Sequence, residues 1–215
     1  QAFPMAPFVE AWRETILSAA ERSPRQRPTT QKTLSPPSQP AAPVPATDLL
    51  LHYMASPVTT GRYFERALRK RHRVVTAGFR CPEALLSRWG FPDQPPAYGP
   101  HDVELRLETP YRELMGMLPD GFAPRLYLWV DSGPRQVAPD IDCLRIPKAC
   151  YLIDTHLAPE VRIDIARHFD FVFLAQKAQV PLFQDAGIAD VCWLPLACSP
   201  ELHDVGQPER LYDVA

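Results

Sequence analysis

A chain of 215 residues has room for one sizeable core plus additional material, and a formal net charge of -2 argues against a general polyanion-binding surface. Five cysteines with no CxxC pair fit a reduced, cytoplasmic setting better than a disulfide scaffold. Neither a membrane-length apolar run nor a basic-then-apolar leader is present, so no membrane span is expected and nucleic acid is not an expected partner.

Residues 8–21 can form a short helix with Phe8, Trp12, Ile16 and Ala20 on one stripe. Residues 22–45 are rich in Pro, Ser, Thr and Gln with little to bury, and read as a flexible linker. The domain proper begins near residue 46. DLLLHYM predicts a buried strand interrupted by His52, and Thr59 or Thr60 can cap the helix GRYFERALRKR. In that helix Tyr63, Phe64, Ala67 and Leu68 are expected to face the sheet, and Arg62, Glu65, Arg66 and Arg69 to face water. HRVVTAG is a second strand, and PEALLSRWG a short helix followed by a proline-rich loop. VELRLE predicts a brief strand, YRELMGMLP a helix and RLYLWVD a strand that runs into the turn-forming SGPRQVAPDID.

Three further apolar runs, CYLID, FVFLA and VCWLP, are separated by stretches that can each hold a helix. EVRIDIARHF would place Val161, Ile165 and Phe169 on one side, and Pro181 is tolerable only in the opening turn of the last helix. Cys150 and Cys192 lie inside these runs and read as small buried residues rather than ligands. About six strands in βα succession predict an α/β, Rossmann-like, mostly parallel sheet with helices on both faces. The expected domain spans 46–205, and 206–215 would begin a second one.

The first strand-to-helix turn reads ASPVTTG, not GxGxxG, which argues against a dinucleotide site of the dehydrogenase type. Walker, HExxH and GxSxG patterns are also missing. Chemistry is therefore sought where strands end, since ligands of parallel sheets bind beyond their carboxyl ends. Asp131 ends one strand and Ser132-Gly133 opens the next turn. The carboxylate either caps local amides or accepts a hydrogen bond from a hydroxylated substrate. Asp154, Thr155 and His156 follow the CYLID run; a carboxylate beside a histidine can orient it as a general base, and a helix cap beside a surface histidine is the plainer alternative. Spacing across separate strands is no evidence of coordination by Asp131, Asp154 and His156, so no metal is expected. His52 either points into the same crevice or hydrogen-bonds in the core. His168, four residues after Asp164, reads as a surface pair.

Taken together, MASPVTTGRYFERALRKRHRVVTAG, LYLWVDSGP, CYLIDTH, RHFDFVFLAQK and AGIADVCWLPLACSPELH resemble the amino-terminal half of CgeB-like bacterial glycosyltransferases, a group of the two-domain glycosyltransferase B fold. The likeness covers about 47–213. It implies an amino-terminal half that mainly contacts a carbohydrate or glycosylated acceptor, and a carboxy-terminal half that binds the nucleotide-sugar donor as co-substrate, with no further cofactor. LYDVA would then be the first strand of that second half, and this chain a fragment. By the same analogy the site would use Ser56, Thr59, Thr60 and Gly61 with Asp131, Asp154 and His156, and His52, Ser132 and Gly133 would line it. A non-catalytic sugar- or nucleotide-binding module is the competing expectation.

Overall fold

The computed structural model describes residues 46–56, 59–88, 90–91, 100–106, 109–132, 137–197 and 199. The predicted helix at 8–21, the linker at 22–45, the start of a second domain at 206–215, and Gly133 lie outside them.

Seven strands pair side by side among the described residues: β1 (Asp48–His52), β2 (Arg73–Gly78), β3 (Val103–Glu104), β4 (Leu126–Val130), β5 (Lys148–Leu152), β6 (Phe171–Leu174) and β7 (Val191–Trp193). All pairings are parallel, in the order β3-β2-β1-β4-β5-β6-β7. Five helices connect them: α1 (Gly61–Arg69), α2 (Glu83–Arg88), α3 (Tyr111–Gly116), α4 (Pro159–Ala166) and α5 (Val180–Asp185). This is the expected Rossmann-like α/β layer structure.

Alternate strand residues serve opposite faces. Leu50, Ala77, Tyr127, Trp129, Cys150, Leu152 and Val172 pack under Leu114 of α3, Ile165 and Ala166 of α4, and Phe183 of α5. Leu49, Leu51, Val74, Leu128, Tyr151 and Phe173 form the other face, where α1 contributes Phe64 and Leu68. Burial on both sides explains why the strands read as continuous apolar runs rather than alternating ones: every residue of β4 is buried. The four described cysteines are free thiols, and Cys150 is wholly buried.

Three expectations change in detail. The VELRLE strand shrinks to Val103–Glu104, because only Ala77 and Gly78 at the end of β2 pair with it. In α1 the inward stripe is Gly61, Phe64, Glu65 and Leu68, whereas Tyr63 and Ala67 are exposed. Glu65 turns inward because Tyr53 donates its hydroxyl hydrogen to Oε2 at 2.5 Å, and Arg62 and Arg69 pair with the same carboxylate at 3.0 Å. In α4 Val161 is exposed; the inward stripe is Arg162, Ile165, Ala166 and Phe169. A fourth correction concerns His168, whose Nδ1 lies 2.9 Å from Asp142 rather than meeting Asp164.

Gly78 ends β2 at φ +155°, and a Cβ there would sit 1.9 Å from the Tyr53 carbonyl oxygen and 2.8 Å from His101 Nε2. Backbone cannot yield as a flexible side chain does. Gly78→Ala is therefore expected to lower stability by about 3 kcal/mol or more, read as a drop in the urea midpoint at unchanged slope. An unchanged midpoint would show that the two strand ends separate freely.

Candidate functional site

The strand order reverses between β1 and β4: the chain leaves β1 toward β2 on one side and returns through β4 on the other. Loops leaving neighbouring strands in opposite directions open a crevice at their carboxyl ends, the usual ligand position in such sheets. Here the loop after β1 and the loop after β4 are tied together by hydroxyls. The Met54 amide donates to Ser132 Oγ at 3.3 Å, and Ser132 Oγ donates to the Val130 carbonyl at 3.2 Å. Its one hydrogen is thereby committed, so the Thr59 hydroxyl, 3.4 Å away, is the donor between the two side chains.

Thr59 also settles the capping expectation. Its Oγ1 accepts from the Gly61 amide at 3.3 Å, satisfying one orphan donor at the start of α1, whereas Thr60 makes no cap bond. Gly61 lies hard against Tyr53: a Cβ would come within 2.2 Å of the ring. Ser56 and Thr59 are buried within the loop and Ser132 is half-buried. Of the sequence-predicted contacts, Thr59 and Ser132 meet directly, with Ser56 and Gly61 in the same loop.

Asp131 is 3% exposed and has a charged partner that the sequence did not suggest. Its Oδ2 accepts from Arg162 Nε at 3.0 Å. The same nitrogen donates to the Ile153 carbonyl at 2.9 Å, and Arg162 Nη1 donates to the Leu157 carbonyl. One guanidinium thus fastens the end of β4 to both ends of the loop between β5 and α4. That loop carries Asp154, in a left-handed conformation at φ 49°, and His156, both exposed. Thr155 between them is wholly buried and donates through its amide (3.2 Å) and hydroxyl (3.0 Å) to Gln176 Oε1. The loop is held from beneath by Arg162 and from the side by Gln176, and presents His156 outward. Among the described residues nothing hydrogen-bonds the His156 ring, so neither Asp131 nor Asp154 orients it.

His52 takes the core alternative. Its Nδ1 lies 2.6 Å from the buried Tyr127 hydroxyl, and burial, helped by His101, pushes its pKa down to about 3. His101, not singled out from the sequence, packs edge-on against Tyr53 at 4.6 Å and leaves both ring nitrogens buried without hydrogen-bond partners among the described residues. Burial drives its pKa down to about 4. Both imidazoles are neutral at physiological pH.

Sequence reading missed Arg162 as a site-forming residue; Gln176 and Lys177 stand out in the sequence as polar groups at the end of the FVFLA run, but with no role attached. The signal for Arg162 was available: 162, 165, 166 and 169 follow helical spacing, so a charge on that stripe needs a buried partner. Among the described residues no group of three or more His, Cys, Asp or Glu side chains is placed to hold a metal. No helix among them is long and apolar enough to cross a membrane.

Fold and strand order together define a doubly wound, Rossmann-like α/β domain with its two central loops cross-linked at the switch point. A scan against protein-family models finds no match to this chain, and a search of curated proteins finds none either.

Proposed function

We propose that this chain is the acceptor-side half of a glycosyltransferase of the two-domain B fold, which moves a sugar from a nucleotide-sugar donor to a hydroxyl of a carbohydrate or glycosylated acceptor. The observation that carries the reading is the meeting of Thr59 and Ser132 at the β1/β4 switch point, where Thr59 Oγ1 keeps one lone pair for a hydroxyl-bearing ligand. The absence of a glycine-rich first turn agrees with a domain that does not itself cradle a diphosphate. His156 is the base in this reading. It is exposed on the adjoining loop, where an imidazole nitrogen can accept a hydroxyl proton. Asp154, two residues before it, is close enough in sequence to orient the ring once an acceptor is bound.

The test is a panel of nucleotide sugars and acceptors presented to the protein in which this half is joined to a donor-binding half. His156→Ala is expected to lower kcat about 100-fold or more with an unchanged unfolding midpoint, the usual range for losing a general base. Near-wild-type turnover would take the base role from His156. The 215-residue chain by itself is expected to bind acceptor without releasing nucleoside diphosphate.

The second reading, a non-catalytic sugar- or nucleotide-binding module, is favoured by one observation: no carboxylate among the described residues bonds the His156 ring, and Asp131 is paired with Arg162. Acceptor binding in the joined protein without transfer from any donor would select it.

A further inference from the structure

The far margin of the carboxyl edge, at β6 and β7, carries an arrangement that the switch-point reading does not use. Trp193 closes β7 and is 39% exposed, yet its ring is not loose: Nε1 donates to the Ala175 carbonyl at 3.2 Å. The Lys177 ammonium lies 5.0 Å from the centroid of that ring. Beside it, Gln176 uses Oε1 to accept both bonds from Thr155, which fixes the carboxamide orientation and leaves its Nε2 donors unused among the described residues. An anchored and accessible indole, a cation resting on it and a pre-oriented amide donor are thus gathered at the ends of two neighbouring strands.

We propose that Trp193, Lys177 and Gln176 form a subsite for a sugar ring bearing a negative charge, either a carboxylate or a phosphate. The apolar face of a pyranose stacks on an aromatic ring whose position is already fixed, so little ordering entropy is lost on binding. Lys177 covers the indole in the free protein. An exposed cation–π contact is weak, about 0.5–1 kcal/mol, so an incoming ring displaces the ammonium cheaply and the ammonium then pairs with the ligand's anion. A neutral sugar would displace the cation without that return, and charge is therefore the discriminating feature. Three strand spacings separate β4 from β7, about 14 Å at the usual inter-strand distance. An acidic glycan lying across the carboxyl edge could reach both this shelf and the switch point. The inference rests on the acceptor-binding reading for its sugar class, but its site and its test are separate.

The experiment labels the 215-residue chain with 5-fluorotryptophan, giving four fluorine resonances of which Trp193's is the one missing in Trp193→Phe. Glucuronate and glucose 6-phosphate are expected to shift that resonance along saturating curves in the millimolar range, whereas glucose binds about fivefold more weakly, the advantage of one exposed ion pair. Lys177→Met should erase the difference between charged and neutral sugars, and added salt should reduce it. The resonance of the buried Trp129 reports that each variant is folded. A response to only one acid identifies which anion the site takes. The proposal is overturned if the Trp193 resonance moves with none of the three sugars, if glucose matches the acids, or if Lys177→Met leaves the preference intact. It is also overturned if uridine monophosphate alone moves the resonance. Loss of transfer on His156→Ala has no bearing on this titration. Failure of the titration leaves the switch-point reading standing, and failure of transfer leaves the shelf standing.

Discussion

Arg162→Leu is expected to destabilise the fold by about 3–5 kcal/mol, because it removes the guanidinium that pairs with the buried Asp131 carboxylate and with two loop carbonyls. The urea midpoint should fall steeply, and the loss should shrink at low pH, where a carboxylate that has lost its guanidinium can take up a proton. Removing both charges in Asp131→Leu/Arg162→Leu should recover much of the loss, since a buried ion pair adds little net stability over an apolar pair. A single variant that unfolds like the parent would mean that the guanidinium is not required to neutralise Asp131. If the proposed function holds, the double variant should still transfer poorly when joined to a donor-binding half, because the loop bearing His156 would have lost its lower anchor.

The same pair shows what could be read from the sequence. The apolar runs revealed the parallel sheet, and the strand ends showed which side of it to search, because burial on both faces leaves no other pattern. Periodicity misplaced single residues where a charge sits on an inward stripe. Glu65 and Arg162 were assigned to solvent or left without comment because a charged residue there is costly unless a partner waits, and the partners come from distant segments. Tyr53 for Glu65 and Asp131 for Arg162 are facts of tertiary placement that hydropathy does not carry. Likewise, Thr59 and Ser132 are 73 positions apart, and only the return of the chain through β4 beside β1 makes them neighbours.

The second large effect is on acid stability. His52 and His101 are neutral in the folded chain, with pKa values pushed to about 3 and about 4, whereas both take the ordinary value of 6.5 once unfolded. Below pH 6.5 the unfolded state therefore binds more protons, and stability falls as pH falls. Each histidine contributes about 1.4 kcal/mol per pH unit down to its own folded value. Glu65, Glu104 and Asp102 lie near His101 and oppose its depression, while Arg62 reinforces it, so His52 holds out to lower pH. His101→Phe isolates one of the two. It keeps an aromatic ring against Tyr53, removes two unpaired nitrogens and should flatten the decline between pH 6.5 and 4 by one histidine's share. The difference in urea midpoint between pH 7 and pH 5 is the measurement, and an identical pH dependence in His101→Phe and the parent would exclude His101 as a source of the acid lability.

The strand order also sets a timetable for folding. β4 to β7 are neighbours in both sequence and space, each pair closed by a single crossover, so their pairings form at modest loop-closure cost. β1 must instead span the whole excursion through β2 and β3 before Leu49 meets Leu126. The pairing that closes last is thus the one that brings the two switch-point loops together. Trimming Val172 on β6 should chiefly slow refolding, whereas trimming Leu50 on β1 should chiefly hasten unfolding. A nascent chain would in that case have its sheet half assembled before Thr59 and Ser132 first came within reach of each other.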